Sequence, residues 1–433
     1  MSKKVDKKAL NLTKDFQDAY DLLEHSKEQV IFITGEAGTG KSTLLRYFRS
    51  NTKKQLIVLA STGVAALNVE AKTLHSFFWF PPNFIQQQDI KKSRKLGELL
   101  DCADAVVIDE VSMVRADLMD AMDYSMRLNL GKDKPFGGKR MIFFGDMHQL
   151  SPVVERGLKS AFSEVYPSPY FFDAKVFDSI PAAYFELTTF HRHKDSSFIK
   201  LLNKIRNGAL GIEDLATLNK RVNSKKIENI KNPIVLTSTN AIADKINEDK
   251  LGELKGEESY YEAEISGSFR KEKKYPAELE LKLKEGAQVM MVKNDSSGRW
   301  VNGTMAKIKK LLDHSIEVTI GKTTYEVKEV SWEQVDYAYD PSEKRIKTKV
   351  TGTFKQYPLK LAWAITIHKS QGKTFDTMVL SLGAGAFAHG QVYVALSRCR
   401  TLEGISLIGS IRPDDLIFDK QAVQYKNKFN RLE

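Results

Sequence analysis

Gly35-Glu36-Ala37-Gly38-Thr39-Gly40-Lys41-Ser42 satisfies the pattern G-x-x-x-x-G-K-[ST] at every fixed position. The apolar run Val30–Ile33 precedes it, and Ser42-Thr43-Leu44-Leu45-Arg46-Tyr47-Phe48 continues it with helical spacing. A buried strand, a glycine-rich turn and a helix in that order aim backbone N–H groups and the positive end of a helix dipole at a phosphate. Lys41 is expected to reach the β- and γ-phosphates of ATP, and the Ser42 hydroxyl to ligate Mg²⁺. Such a unit belongs to a parallel α/β sheet, so this segment decides the fold class of the first half.

Outward from the loop, the apolar runs Leu56–Leu59, Ala105–Ile108 and Met141–Phe144 alternate with helical stretches, which predicts a parallel sheet covered on both faces. Val106-Val107-Ile108-Asp109-Glu110 delivers two acids to the C-terminal end of a strand, where ligands of open α/β sheets bind. Asp109 is the candidate Mg²⁺ ligand, and Glu110 the candidate group that orients and deprotonates the attacking water. Phe143-Phe144-Gly145-Asp146-Met147-His148-Gln149 ends another strand in a polar turn, with Gln149 the candidate partner of the γ-phosphate or the water.

The second half repeats the theme. Ile234–Leu236, Leu361–Ala364, Met378–Leu382 and Ile405–Ile408 predict a second parallel α/β domain, giving two in tandem with boundaries near 1–186 and 187–433. Between them and inside the second, Val289–Val292, Ala306–Ile308, Ser315–Ile320 and Thr324–Val327 are short strands separated by Gly, Asn and Asp turns. They predict a small antiparallel barrel inserted at about 285–355. Phe78–Arg94, with Pro81-Pro82 and three glutamines, predicts a smaller, wedge-like insertion in the first domain at about 78–97.

At 433 residues the chain exceeds what one hydrophobic core serves, and its 42% apolar and 28% charged residues are ordinary for a globular protein. No stretch approaches the apolar length that spans a bilayer, and no apolar signal core follows the basic start. A cytoplasmic, nucleoid-associated location is therefore expected, or a nuclear one in a eukaryote. Cys102 and Cys399 are too few and too far apart for a disulfide framework, and His191 and His193 have no cysteine pair at ligand spacing. A formal charge of +11 favours a polyanionic partner.

With these pieces in place, the sequence resembles the Pif-one family of superfamily-one DNA helicases, relatives of the RecD and Dda motors. The motifs run in the family's order: Thr13-Lys14-Asp15-Phe16-Gln17 before the phosphate loop, then Ala60–Ala66, Thr73-Leu74-His75-Ser76-Phe77 and Lys134–Gly138. Leu187–Arg192, Leu236–Asn240, Gly286–Met290, Leu361–Thr374 and Gln391–Arg398 follow in the second half. The departures are Met147-His148 and Ser151 where the family usually has Phe-Phe and Pro, and His193 where it usually has Gln.

The resemblance implies two RecA-like domains with ATP and Mg²⁺ in the cleft between them. It implies nucleotide contacts at Gln17, which reads adenine, and at Gly35, Ala37, Gly38, Thr39, Gly40, Lys41, Ser42, Thr43 and Gly372. Lys41, Asp109, Glu110 and Gln149 come from one side, and Arg192 and Arg398 reach from the other to the transferring phosphoryl group. Thr62, Gly63, His75, Phe77, Asn240, His368 and Lys369 are the implied DNA contacts. The implied activity is ATP-driven 5′→3′ movement on single-stranded DNA, with unwinding of duplex and action on G-quadruplexes and RNA–DNA hybrids, in repair, recombination, replication or telomere-like maintenance. A monomer is expected, a dimer on DNA being the alternative, and no protein partner is named by the sequence. Two other readings stay open at this point: an ATPase that translocates without separating strands, and a module that binds ATP only as a structural ligand.

Overall fold

Alternation along the first strand sets up the first unit. In β1 (Val30–Gly35) every residue is buried. Val30 and Phe32 enter one hydrophobic core, and Ile31 and Ile33 enter another on the opposite face. A strand whose two faces both meet apolar layers must lie inside a sheet covered on both sides. The computed structural model describes residues 13–432, apart from 63–65, 67–68, 70, 82–84, 86, 155–158, 190–194, 224–232, 272–274 and 341–344. The chain divides into two compact units: Met1–Arg192 with Val335–Lys349 and Asp419–Glu433, and His193–Gln334 with Val350–Phe418.

The first unit runs α1 (Lys14–His25), β1, α2 (Lys41–Asn51), β2 (Leu56–Ala60), β3 (Lys72–Thr73), α3 (Leu74–Phe78), α4 (Arg94–Cys102), β4 (Ala105–Asp109), α5 (Ala116–Leu130), β5 (Arg140–Phe144) and β6 (Ala183–Leu187). Its seven-stranded sheet has the order Asn430–Arg431, β6, β1, β5, β4, β2, β3, and the pairings are parallel throughout. The registers Ile33–Phe144 and Ile108–Phe143 bring the C-terminal ends of β1, β5 and β4 to one level. The insertion after α3 is anchored rather than free. Phe78, Phe80, Ile85, Ile90 and Leu96 are all buried in the core shared with β1, β2 and β4.

The expected boundary places everything after 187 in the second domain, whereas Val335–Lys349, within the expected insertion, and the end of the chain both fall in the first unit. Asn430–Arg431 pairs with Ala183–Tyr184 of β6. Tyr425, fully buried, meets Phe32 at 5.2 Å and Tyr184 at 5.3 Å, and Phe429 meets Phe171 and Phe177. The Tyr170 hydroxyl donates to Asp419 at 3.0 Å, and Lys428 pairs with Asp173. Burial of this aromatic surface returns Asp419–Glu433 to the first unit.

The second unit has its own parallel sheet, ordered Ala364–Thr366, Val235–Thr237, Met378–Ser381, Ile405–Ile408. The expected single strand Leu361–Ala364 is a junction between two sheets. Leu359–Leu361 pairs antiparallel with Gln288–Met291, whereas Ala364–Thr366 pairs parallel with Val235–Thr237. Asn247 fixes the break, donating to the Ala364 carbonyl and accepting from its N–H, each at 2.8 Å. The inserted module holds the antiparallel sheet Thr323–Val327, Ile316–Ile320, Met305–Leu311, Gln288–Met291, Leu359–Leu361 around a core that includes Leu283, Val289, Ile308 and Val318. Its strands begin at Ser259, earlier than the turn spacing indicated.

Candidate active site

The phosphate loop depends on its glycines. Gly35, Gly38 and Gly40 all have positive φ, and a Cβ on Gly35 would lie 2.7 Å from the Leu187 carbonyl oxygen and 2.7 Å from Thr39 Oγ1. Thr39 Oγ1 donates to the Glu36 carbonyl at 2.9 Å, closing the turn. Lys41 Nζ donates to the Gly35 and Glu36 carbonyls at 2.6 and 3.0 Å, holding the ammonium over the loop. Gly40 precedes α2 and supplies no side-chain cap, and the first-turn N–H groups of a helix have no partner within it, which suits that end to an anion. Ser42 stands exposed at that end.

Asp109 ends β4, 7% exposed. Burial pushes its carboxyl up to about 6, against the Glu110 N–H, which donates to it at 3.0 Å, and the nearby charges of Lys41 and Arg46. Glu110 adopts φ 53°, ψ 45°, a left-handed conformation rare for a residue with a long side chain, and strain of this kind collects at functional positions. Gly145, just past β5, allows a close approach: a Cβ there would lie 3.0 Å from Val111 Cγ1 and 3.1 Å from the Ser112 backbone nitrogen. The strand end thus packs against the turn that carries Glu110. Buried Asp146 accepts from Gln149 Nε2 at 2.9 Å and from the His148 N–H at 3.1 Å, which sets the Gln149 side chain. Lys41, Ser42, Asp109, Glu110 and Gln149 therefore follow the level ends of three adjacent strands.

Gln17 lies on α1 and donates to Asp21 at 3.0 Å. Two positions before it, Asp15 holds more of the structure together than its sequence suggested. Its carboxylate accepts from Thr13 Oγ1 at 2.6 Å, from the Phe16, Thr188 and Thr189 N–H groups at 2.9 Å each, and from Thr189 Oγ1 at 2.9 Å. Burial works against the charge, but these donors hold the carboxyl down at about 2. Asp146 and Asp15 were visible only as members of motifs, since their partners come from the fold.

Among the expected DNA contacts, Thr62 is half-buried, and Gly63 and Arg192 lie outside the described residues. His75 sits on α3, its pKa lowered first by burial and then by Arg115. Phe77 is a core residue, 3% exposed with its ring against Phe78 at 4.9 Å, and so offers no face to a base. It points inward because α3 has to cover the β2 side of the sheet. In the second unit Asn240 begins the helix Asn240–Gly252 and is exposed, with Thr239 capping the helix. Thr366 Oγ1 accepts from the Lys369 N–H at 3.3 Å, and burial lowers the pKa of both His368 and Lys369, Lys360 adding to the effect on Lys369. Gly372 has φ 77°. Arg398 is buried, donating through Nε to the Val394 carbonyl at 2.9 Å and through Nη2 to Ser397 Oγ at 2.7 Å.

Among the described residues no cluster of His, Cys, Asp or Glu could hold a metal by itself, and no helix is long and apolar enough to cross a membrane. A magnesium ion here would need phosphate oxygens beside Ser42 and Asp109, which is how a phosphate loop takes one.

Residues 11–215 match the family described as PIF1-like helicase, and residues 272–311 match the 2B domain of DNA helicase Pif1. The ATP-dependent DNA helicase Pif1 of Bdellovibrio bacteriovorus is 33% identical over 98% of this chain and 93% of that protein. The chain belongs to the PIF1-like helicase family. The human PIF1 helicase is 35% identical over 92% of the chain, which spans only 60% of that longer protein. A Bacteroides Pif1 crystal structure in complex with ADP-AlF4 matches this PIF1-like chain with a TM-score of 0.89 and 36% identity, covering 96% of it and 97% of the Bacteroides chain. The Bacteroides Pif1 structure bound to ssDNA matches with a TM-score of 0.71 over the same 96% and 97%.

Proposed function

We propose that this PIF1-like chain is an ATP-dependent DNA helicase that moves 5′→3′ on single-stranded DNA and unwinds duplex, with G-quadruplexes and RNA–DNA hybrids as further substrates. The observation that carries the reading is the convergence of the phosphate loop, the Asp109–Glu110 pair and the Asp146-anchored Gln149 at the level ends of β1, β4 and β5. Similarity across nearly the whole length of a Pif1 helicase supports the DNA substrate.

In the proposed mechanism the loop N–H groups and Lys41 take the β- and γ-phosphates, Lys41 exchanging the Gly35 and Glu36 carbonyls for phosphate oxygens. Ser42 and Asp109 would hold Mg²⁺, which when bound would supply positive charge to the phosphoryl oxygens. Glu110 accepts the proton of the attacking water while Gln149 orients it. Gln17 meets the adenine. Arg398 and Arg192 stabilise the transferring phosphoryl group, which ties nucleotide state to conformation. Thr62, Gly63, His75, Asn240, His368 and Lys369 are the proposed strand contacts.

Lys41→Ala and Glu110→Gln test the reading. Both should lose DNA-stimulated ATP turnover, with Glu110→Gln still binding ATP; undiminished turnover in both would remove the motor assignment. Matched 5′- and 3′-tailed duplexes test direction, and unwinding of only the 3′-tailed form would reverse it. Stimulated turnover with no strand separation on either would favour a translocase. Deleting the Phe78–Arg94 insertion is a poor test of a wedge, because its buried side chains belong to the core.

A further inference from the structure

The run Phe77-Phe78-Trp79-Phe80 turns three rings inward and one outward. Phe77, Phe78 and Phe80 are at most 6% exposed, whereas Trp79 is 56% exposed. The cause is local. Helix α3 ends at Phe78, and Trp79 takes φ 57°, ψ 36°, its N–H donating to the His75 carbonyl. The Phe80 N–H donates to the same carbonyl at 2.9 Å, and the Phe78 and Phe80 rings stack at 5.2 Å and 11° beneath the turn. The indole therefore projects from a backbone fixed on both sides.

Two things about this position run against stability. A left-handed helix cap favours Gly or Asn, and a bulky side chain there is strained. An indole left in water also forgoes the burial its neighbours enjoy. Among the described residues, the other non-glycine positions with positive φ are Glu110 in the active site, fully buried Phe136, and Asn223, of a residue type that tolerates this conformation. Trp79 alone is both strained and projecting.

We propose that Trp79 is a base-stacking residue, its indole taking the face of an unpaired nucleobase of the DNA substrate. This rests on the helicase reading and names a side chain that meets the strand. A single projecting ring with buried neighbours fits a planar base better than it fits a protein surface, which would need a contiguous apolar patch. The same insertion continues as Lys91-Lys92-Ser93-Arg94-Lys95, in which all four cations are exposed, Arg94 pairing with Glu98 at 2.8 Å. An aromatic face combined with positive charge is what holds single strands without reading their sequence.

The test uses the full chain, a single-stranded oligothymidine, and the variants Trp79→Phe and Trp79→Gly. Trp300 and Trp332 are buried and Trp363 partly so, which leaves Trp79 as the exposed tryptophan, read by exciting tryptophan selectively. DNA should quench the parent fluorescence. Trp79→Phe should lose most of that quenching but keep its affinity within about threefold, because a phenyl ring still stacks. Trp79→Gly should weaken binding about tenfold while leaving Tm unchanged or raised, since glycine relieves the strained cap. Undiminished quenching in Trp79→Phe, or undiminished affinity in Trp79→Gly, overturns the proposal. A parent protein whose ATP turnover does not respond to the oligothymidine overturns the helicase reading, and this proposal with it.

Discussion

The Asp15 carboxylate accepts hydrogen bonds from both the amide and the hydroxyl of Thr189, at 2.9 Å each, across 174 positions of sequence. It joins the start of the helix that carries Gln17 to the segment that leaves β6 toward Arg192. A carboxylate with several N–H and O–H donors is held charged and in one orientation. The proposed adenine contact and the start of the proposed arginine segment thus share an anchor.

That anchor has a pH signature. The Asp15 carboxyl, at about 2 when folded against an ordinary 3.8, contributes fully above the ordinary value and loses its contribution as pH falls toward 2. Asp15→Asn should destabilise the chain by about 1–2 kcal/mol at neutral pH, partial exposure keeping the figure small. The gap between parent and variant in urea unfolding should narrow below about pH 4. A gap independent of pH would mean that the charge is not what matters.

Asp109 has the opposite sign. Its carboxyl is raised from 3.8 to about 6, so the folded state favours the protonated form, and that contribution disappears as pH rises through 6. Asp109→Asn should therefore raise the stability of the nucleotide-free chain at about pH 8 while abolishing turnover. Because Mg²⁺ must displace the proton, its apparent affinity in the ATPase assay should fall about tenfold per pH unit below 6. Titrating Mg²⁺ at about pH 5.5 and 7.5 measures this. An unchanged Mg²⁺ requirement would count against Asp109 as its ligand.

Gly35→Ala should cost about 2–4 kcal/mol, because its methyl would press on the Leu187 carbonyl oxygen at the φ of +148° that the turn requires. Thermal unfolding should register the loss together with weakened ATP binding. Retained stability would mean that the loop can move away from β6.

Arg398→Lys keeps the charge but not the planar fork that reaches the Val394 carbonyl and Ser397 Oγ. Turnover is expected to fall by about 10²–10³-fold, with ATP affinity changed less than about threefold. Circular dichroism melts on the same samples separate this from unfolding. Turnover within a factor of about two of the parent would exclude a role at the phosphoryl group.

The parts of this molecule that were legible in sequence are those whose chemistry is local. A phosphate loop is one turn between a strand and a helix, and the strand ends at Asp109 and Phe144 carry their acids and glycine with them. The order of motifs then pointed to the second sheet. What escaped depends on distant partners. Asp15 acquires its role from Thr188 and Thr189, and the break between Leu361 and Ala364 is set by Asn247 from another helix. Phe77 and Trp79 illustrate the limit: an all-aromatic run has no polar alternation, so only the left-handed turn at Trp79 decides which ring faces out.

The Asp419–Arg431 segment also bears on how the protein is made. Ala422, Tyr425 and Phe429 complete a core whose other buried members, from Val30 to Tyr184, leave the ribosome long before them. Contacts this far apart in sequence form late and slowly. During translation the phosphate loop is finished while the aromatic floor beneath its sheet stands open. A chain that stopped before Asp419 would leave that apolar surface open to chaperones and proteases.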